Sequence, residues 1–487
     1  MSKTTSAHPE WATRHRKEGT ELRLIKGRYY LYAYKTVYDK QSHKPKKISG
    51  QILGSITEKD GFIPSAKRNL ENQASRVPQT PIYCKEYGVS SLIASALKLY
   101  SKNLSTSFAE DWAKIIAIAY CRFVYRCPLK SVPFRLNSSY LPELLGVAPF
   151  SEKEASGILN RIGGQPDKML QYMKTFIGAG EHILMDATNV LSYSRQIDLA
   201  KKGYSNPLNF DPQYNLMYIY SANTRMPVYY KLLPGNIREV KAFKNSLLEA
   251  GLHNAIVIAD KGFYSNANVD LLIKEQLQFI LPLRRDNTII DYSSINNNTF
   301  KQGANFFIHE KRPVWHQCRN LDNGLTLNLF LDEPLRVKEE NDYLLRINTH
   351  PENHSIIKYQ QKKDVFGTIA LLTNLQTTDE DAYQTYKSRM AIEVMFDGMK
   401  NILDADHTYM QNEQTLKGWM FVNHITLQWY QHLYIELKTK NLLKKISVND
   451  YIQLLTDVKK IRINDSWYLN EYTNETKKLI EKLKIIL

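Results

Sequence analysis

A chain of 487 residues has the length of about three or four structural units and enough to bury a sizeable core. Hydrophobic residues at 43% and charged residues at 23% exclude a disordered, collagen-like or disulfide-scaffold chain. Lys and Arg number 65 against 49 Asp and Glu, a net +16, which makes nucleic acid or an anionic membrane the first partners to consider.

The excess is uneven, since residues 1–50 hold twelve Lys or Arg against four Asp or Glu, a net +8. No apolar run approaches the roughly 20 residues of a membrane span, and the best, Ala113 to Val124, is interrupted by Lys114 and Arg122. The first 20 residues carry no apolar stretch of the secretory kind. Cys84, Cys121, Cys127 and Cys318 have no zinc-ribbon spacing and read as reduced, buried thiols of a cytoplasmic protein.

In chain order, residues 21–57 predict strands: Tyr29 to Tyr34 is aromatic, Lys40 to Lys47 is a polar turn, and Ile48 to Ile56 resumes an apolar pattern. From Val89 to Arg126 apolar residues recur three and four apart, which predicts helices, and Ser151 with Glu154 forms a capping box for another. Short apolar runs then predict strands at Ile183 to Met185, Leu216 to Tyr220, Pro227 to Leu233 and Ala255 to Ala259; the first and last end in Asp186 and Asp260. A helix from Asn266 to Glu275 and a strand from Phe279 to Leu283 complete an α/β pattern. Residues 286–350 break it with Asn-rich turns and the alternation of Leu325, Leu327, Leu329 and Leu331, the mark of antiparallel strands. The strand Thr368 to Leu372, caps at Thr377 and Thr378 and a long helix from Asp379 to Leu403 follow, and helices dominate the remainder.

On that long helix Tyr386, Arg389, Glu393 and Lys400 fall within an arc of about 60° on a regular helix. One alternative is a surface salt bridge between Arg389 and Glu393 worth roughly 0.3 to 0.5 kcal/mol. Against it, Ile392, Met395, Phe396 and Met399 make much of the helix apolar, and a charged stripe on a largely buried helix lines a site. Asp186, Asp260 and Glu393 together supply three carboxylates, the hard oxygen set that holds two Mg²⁺ or Mn²⁺ ions in phosphoryl-transfer enzymes.

These residues resemble a known family. Tyr386, Arg389, Glu393 and Lys400 match the Y-x2-R-x3-E-x6-K signature of a large group of bacterial insertion-sequence DDE transposases. Asp186 in Met185-Asp186-Ala187-Thr188 and Asp260 in Ala259-Asp260-Lys261-Gly262 look like the family's two aspartates, and Pro234-Gly235-Asn236 resembles a Gly-Asn turn common there. The resemblance implies an α/β fold with a ribonuclease-H-like core interrupted by a β-rich insertion, for which the 132 residues from Lys261 to Ile392 leave room. Its division would be a basic β-rich unit at 1–65, a helical DNA-binding region at 66–175, the core at 176–285 and 366–440, the insertion at 286–365 and a helical C-terminal region at 441–487.

The resemblance further implies an enzyme that binds the inverted-repeat ends of its own element as double-stranded DNA. It would cut them through a hairpin, join them to target DNA and act as a homodimer in the nucleoid. Asp186, Asp260 and Glu393 would be catalytic and hold two Mg²⁺ or Mn²⁺ ions, while Tyr386, Arg389 and Lys400 would hold phosphates. Trp315 is the candidate for holding a flipped base, with a core tryptophan of the insertion as the alternative. Lys261 would neutralise Asp260, and Asp397 would compete with Glu393 as a ligand. The final helix, with Leu479, Ile480, Leu483, Ile486 and Leu487 in one stripe, is a candidate dimer surface, with packing onto its own domain as the alternative. Alternatives are a transposon-derived DNA-binding protein without catalysis and a host nuclease with the same core.

Overall fold

The structure, a computed structural model, describes residues 8–39, 44–65, 83–178, 182–194, 197–202, 212–235, 239–252, 255–297, 299–303, 305–405, 407–485 and 487. They divide into two compact units, residues 1–83 with 462–467 and residues 84–461 with 468–487.

The smaller unit is a short helix α1 (Glu10–Thr13) and an antiparallel four-stranded sheet, β1 (Thr20–Ile25), β2 (Arg28–Asp39), β3 (Lys44–Thr57) and β4 (Gly61–Pro64). Alternation along β2 separates its faces. Tyr29 and Leu31 join Ala12 and Ile56 in a small core. On the other face the Arg23 guanidinium lies 4.7 Å from the Tyr32 ring centre and the Lys47 ammonium 4.0 Å from that of Tyr34. Glu21 accepts hydrogen bonds from both cations, which pull its carboxyl down to about 2.

In the larger unit, helices α2 (Trp112–Tyr125) and α3 (Glu152–Gly163) precede the sheet. The capping box at Ser151 and Glu154 opens α3. The strands are β5 (His182–Ser192), β6 (Pro212–Ser221), β7 (Met226–Pro234), β8 (Ile256–Ala259) and β9 (Gln278–Pro282), with α4 (Glu239–Ala250) before β8 and α5 (Asn266–Lys274) after it. β5, β6 and β7 form an antiparallel meander, and β8 and then β9 add in parallel on the other side of β5. The sheet continues through β10 (Asn305–His309), β11 (Arg312–Asn320), β12 (Thr326–Asp332) and β13 (Thr368–Thr373), all antiparallel, with β13 against β9.

The strands of the 286–365 segment thus extend the same sheet, and eleven strands share it among the described residues. That segment is not β throughout: α6 (Glu333–Thr349) and α7 (Ile356–Lys362) fill its second half. β12 is buried along nearly its whole length, not on one face alone, because it is a central strand covered on both sides.

Helices α8 (Asp379–Lys387), α9 (Met390–Asp397) and the long, largely buried α10 (Glu413–Thr439) follow. Gly163 of α3 meets Gly418 of α10 so closely that a Cβ on either would lie 1.8 or 2.0 Å from a backbone oxygen of the other helix. Residues 84–175 therefore pack in one unit with the sheet. The last helix, α11 (Asn474–Leu483), buries Leu479, Ile480 and Leu483 in the same core, so the stripe read as a dimer surface is already covered by its own chain; Ile486 lies outside the described residues. Cys121 and Cys127 are buried, but Cys84 and Cys318 are exposed, and all four are free thiols. Among the described residues no helix is long and apolar enough to cross a membrane.

Candidate active site

Strand register brings the two aspartates together. Met185 of β5 pairs with Ala259 of parallel β8, so the next residues, Asp186 and Asp260, stand side by side at about the 4.8 Å strand spacing. β8 ends at Ala259, as its apolar run predicts. β5 does not end at Met185: it runs on to Ser192, because β6 pairs with it from Ile183 to Leu191 and the short strand His407–Thr408 joins at its end. Asp186 is thus a mid-strand residue opposite Tyr218, half-buried beside the end of β8.

The signature segment is not one regular helix. Thr378 caps α8, accepting from the Asp381 amide. At Ser388 and Arg389 the chain tightens, with Arg389 N donating to Tyr386 O at 3.1 Å, Ala391 N to Ser388 O at 2.9 Å and Ile392 N to Arg389 O at 3.0 Å, all three-residue spans. Ser388 contributes by donating its hydroxyl to the Thr385 carbonyl at 2.6 Å. Beyond α9 the chain widens into a π turn, Gly398–Ile402, which carries Lys400. A projection at 100° per residue does not hold across these two changes of pitch.

Arg389 is the centre of the site. Its Nη1 donates to Asp186 Oδ2 at 3.2 Å, its Nη2 donates to Glu393 Oε1 at 2.6 Å, and Nη2 lies 3.8 Å from Asp260 Oδ1. Three carboxylates from β5, the end of β8 and α9 therefore converge on one guanidinium. The Arg389 side chain is 17% exposed and that of Glu393 54%, so the cluster opens to solvent on the Glu393 side. Burial opposes the Arg389 charge, but Asp260, Tyr386, Asp186 and Glu393 outweigh it and hold its pKa above the ordinary value. Burial raises the Tyr386 phenol, with Asp260 and Glu393 adding to the rise and Arg389 opposing it. Tyr386 lines a cleft with Lys261, Arg284 and Arg285.

The cation at Asp260 is Arg389; Lys261, the residue next to Asp260, is exposed. Asp397 is exposed and accepts from Asn401 Nδ2 at 2.6 Å, a turn away from the guanidinium. Asn236 lies outside the described residues, whereas Gly235 packs so tightly that a Cβ would come within 2.1 Å of Gln213 O.

Trp315 is not brought to the carboxylates. His316, its neighbour on β11, contacts Asp379 at 2.6 Å and packs near Phe330, whose ring meets Tyr383 of α8. Alternation then directs Trp315 to the opposite face of the sheet, where its half-buried ring lies against Phe306 with the Lys301 ammonium 5.6 Å away.

Sequence reasoning passed over Arg122 except as an interruption of an apolar run, and that was the signal. Its buried guanidinium donates to the carbonyls of Leu403 at 2.7 Å and Asp404 at 3.3 Å, and to that of Arg126 at 2.9 Å, fastening the end of the signature segment to α2. Burial lowers its pKa to about 10.

Carboxylate oxygens are the hard donors that Mg²⁺ and Mn²⁺ take. Asp260 Oδ1 and Glu393 Oε1 reach the same nitrogen and so lie at most about 6.5 Å apart, a span that two ions about 3.5 to 4 Å apart bridge. The donor set fits such ions in chemistry and convergence, although among the described residues no three His, Cys, Asp or Glu side chains already stand close enough to hold one ion.

No curated protein sequence matches the chain. Among solved structures it is similar to a piggyBac transposase synaptic complex with hairpin DNA, at 11% identity and a TM-score of 0.37 over 75% of this chain and 70% of that one. A Mos1 transposase paired-end complex matches at 14% identity and a TM-score of 0.15 over 34% of this chain and 57% of that one. A pre-cleavage Mos1 transpososome does so at 14% and 0.16 over 32% and 55%. These scores are low, and the site is read from its own residues. The family model described as the transposase DDE domain matches residues 178–429, more than half of the chain and all three carboxylates, and the protein belongs to that family.

Proposed function

We propose that the protein is an active transposase that binds the inverted-repeat ends of its own element as double-stranded DNA, cuts them and joins them to target DNA. The observation that supports it most is the convergence of Asp186, Asp260 and Glu393 from three separate segments on the one Arg389 guanidinium. The strand order, an antiparallel meander followed by two parallel strands with the glutamate on a later helix, supports reading this part of the chain as a ribonuclease-H-like core.

In this mechanism the three carboxylates are catalytic. Two Mg²⁺ or Mn²⁺ ions held by them would supply charge neutralisation at the attacking and leaving oxygens of the phosphodiester. Arg389, with its planar fork, and Lys400 hold phosphate oxygens flanking the cut, and Tyr386 positions one of them from the edge of its cleft. Water attacks the phosphodiester to free a 3′-hydroxyl, which then attacks the opposite strand to form a hairpin; a second water reopens the hairpin and regenerates the 3′-hydroxyl that joins target DNA, in the order the signature implies. Trp315, away from the carboxylates beside Phe306 and Lys301, is the candidate to hold a base flipped out of the distorted end. DNA contacts extend to the basic residues of the smaller unit and to the 66–175 region, and the protein works as a homodimer on DNA in the cytoplasm.

The test is cleavage of a labelled duplex carrying the element's end with Mg²⁺ or Mn²⁺. D186N, D260N and E393Q should each lose cleavage while still shifting the duplex on a gel, and chelation should stop the wild-type reaction. Cleavage that survives E393Q would remove Glu393 from the assignment. Equal cleavage of duplexes lacking the repeat would make the protein a nuclease of another kind.

A further inference from the structure

We infer that Arg389 competes with divalent ions for the Asp186, Asp260 and Glu393 oxygens, so that a DNA phosphate, by drawing the guanidinium to itself, promotes metal loading. This rests on the assignment of those carboxylates as metal ligands.

The contacts show the conflict. Arg389 uses Asp186 Oδ2, at 3.2 Å, and Glu393 Oε1, at 2.6 Å, and approaches Asp260 Oδ1. The other Asp186 oxygen, Oδ1, already accepts from the Ala187 amide at 2.8 Å. An ion seated at the roughly 2.0 to 2.1 Å that Mg²⁺ requires takes over oxygens now bonded to the guanidinium, and two divalent charges repel a cation held a few ångströms away. Metal and guanidinium therefore exclude one another at these oxygens.

Arg389 has an alternative anion. A phosphate accepts both arms of a guanidinium at once, as a carboxylate does, and in the presence of DNA it is the anion that metal ions do not fully satisfy. Tyr386, one turn before Arg389, opens onto the cleft lined by Lys261 and Arg284, whose charges attract a backbone phosphate to that side. Transfer of the guanidinium from the carboxylates to that phosphate removes one positive charge from beside three negative groups, and their affinity for divalent ions rises. Linkage makes the effect reciprocal: the ions strengthen phosphate binding by the same factor. Arg389 is in this sense a positioning residue that keeps the carboxylates neutralised until DNA arrives.

The experiment measures Mn²⁺ binding to the full chain from the electron paramagnetic resonance signal of the free ion, with and without a short duplex that the chain retains on a gel. The duplex should tighten Mn²⁺ binding to the wild type by about 5- to 150-fold, the usual span of coupling between sites. R389Q should bind Mn²⁺ more tightly than the wild type without DNA and gain little when the duplex is added. R389K, which keeps the charge but lacks the bridging fork, should fall between them and serves if R389Q does not fold. Adding D186N to either variant should remove the tight binding. Wild-type affinity indifferent to the duplex, or arginine variants that bind no better, would overturn the competition and leave the metal assignment standing. Failure of Mn²⁺ to bind any folded form, with or without DNA, would overturn the metal assignment itself.

Discussion

His424 shows how far the interior behind the site is from water. It lies on α10, and neither ring nitrogen has a hydrogen-bond partner. Its ring stacks at 5.8 Å on Tyr218, the residue opposite Asp186, and sits 5.1 Å from Tyr230. Burial lowers its pKa from 6.5 to about 3. The unfolded chain takes a proton below pH 6.5 that the folded chain refuses, so the stability tied to neutral His424 is complete above pH 6.5 and drains away as the pH falls toward 3. The slope is about 1.4 kcal/mol for each pH unit in that window. Urea titrations of wild type and H424F at pH 7 and pH 5 should show the wild type losing more than the variant. Parallel losses would mean that His424 is protonated in the folded state.

Among the elements, the approach of α3 to α10 governs how the N-terminal helices meet the sheet. Because the blocking atoms are backbone oxygens of Gln414 and Leu159, they cannot swing aside as a side chain would. G163A and G418A should each cost about 3 kcal/mol, at the upper end for overpacked sites. G157A on the same helix meets nothing within 4 Å and should stabilise by about 0.5 to 1 kcal/mol. Thermal melts of the three variants check the order, and a neutral G163A would mean that the helices stand further apart. The signature segment carries a related lesson: its residues converge because the chain tightens at Arg389 and is fastened at its far end by Arg122.

For the whole molecule, the terminal helix is a structural member. Each of Leu479, Ile480 and Leu483 is buried, at about 1.5 to 3 kcal/mol for a large aliphatic side chain. Deleting residues 472–487 should therefore lower the melting temperature markedly, with any loss of paired DNA complexes following the loss of fold. A truncated chain that melts like the full one yet fails to pair ends on a native gel would reinstate the helix as the contact between copies.

What the sequence determined by itself is what local pattern encodes: the strands around Ile183 and Ala255, the caps at Ser151 and Thr378, and the set of residues, Asp186, Asp260, Arg389 and Glu393, that meet in one place. Periodicity reports which side of a segment avoids water, and a signature reports which side chains belong together. Neither reports what covers a buried side or which strand lies alongside. Only the tertiary structure decided that β5 runs on past Asp186, that the strands of the insertion extend the same sheet as β5 and β8, that Trp315 faces away from α8 and that the stripe of α11 is spent within its own chain. Each of these depends on pairing between residues far apart in the chain. The place of Arg389 depends on it most: its spacing to Glu393 is local, but its position between two aspartates more than a hundred residues away exists only once parallel β5 and β8 are in register.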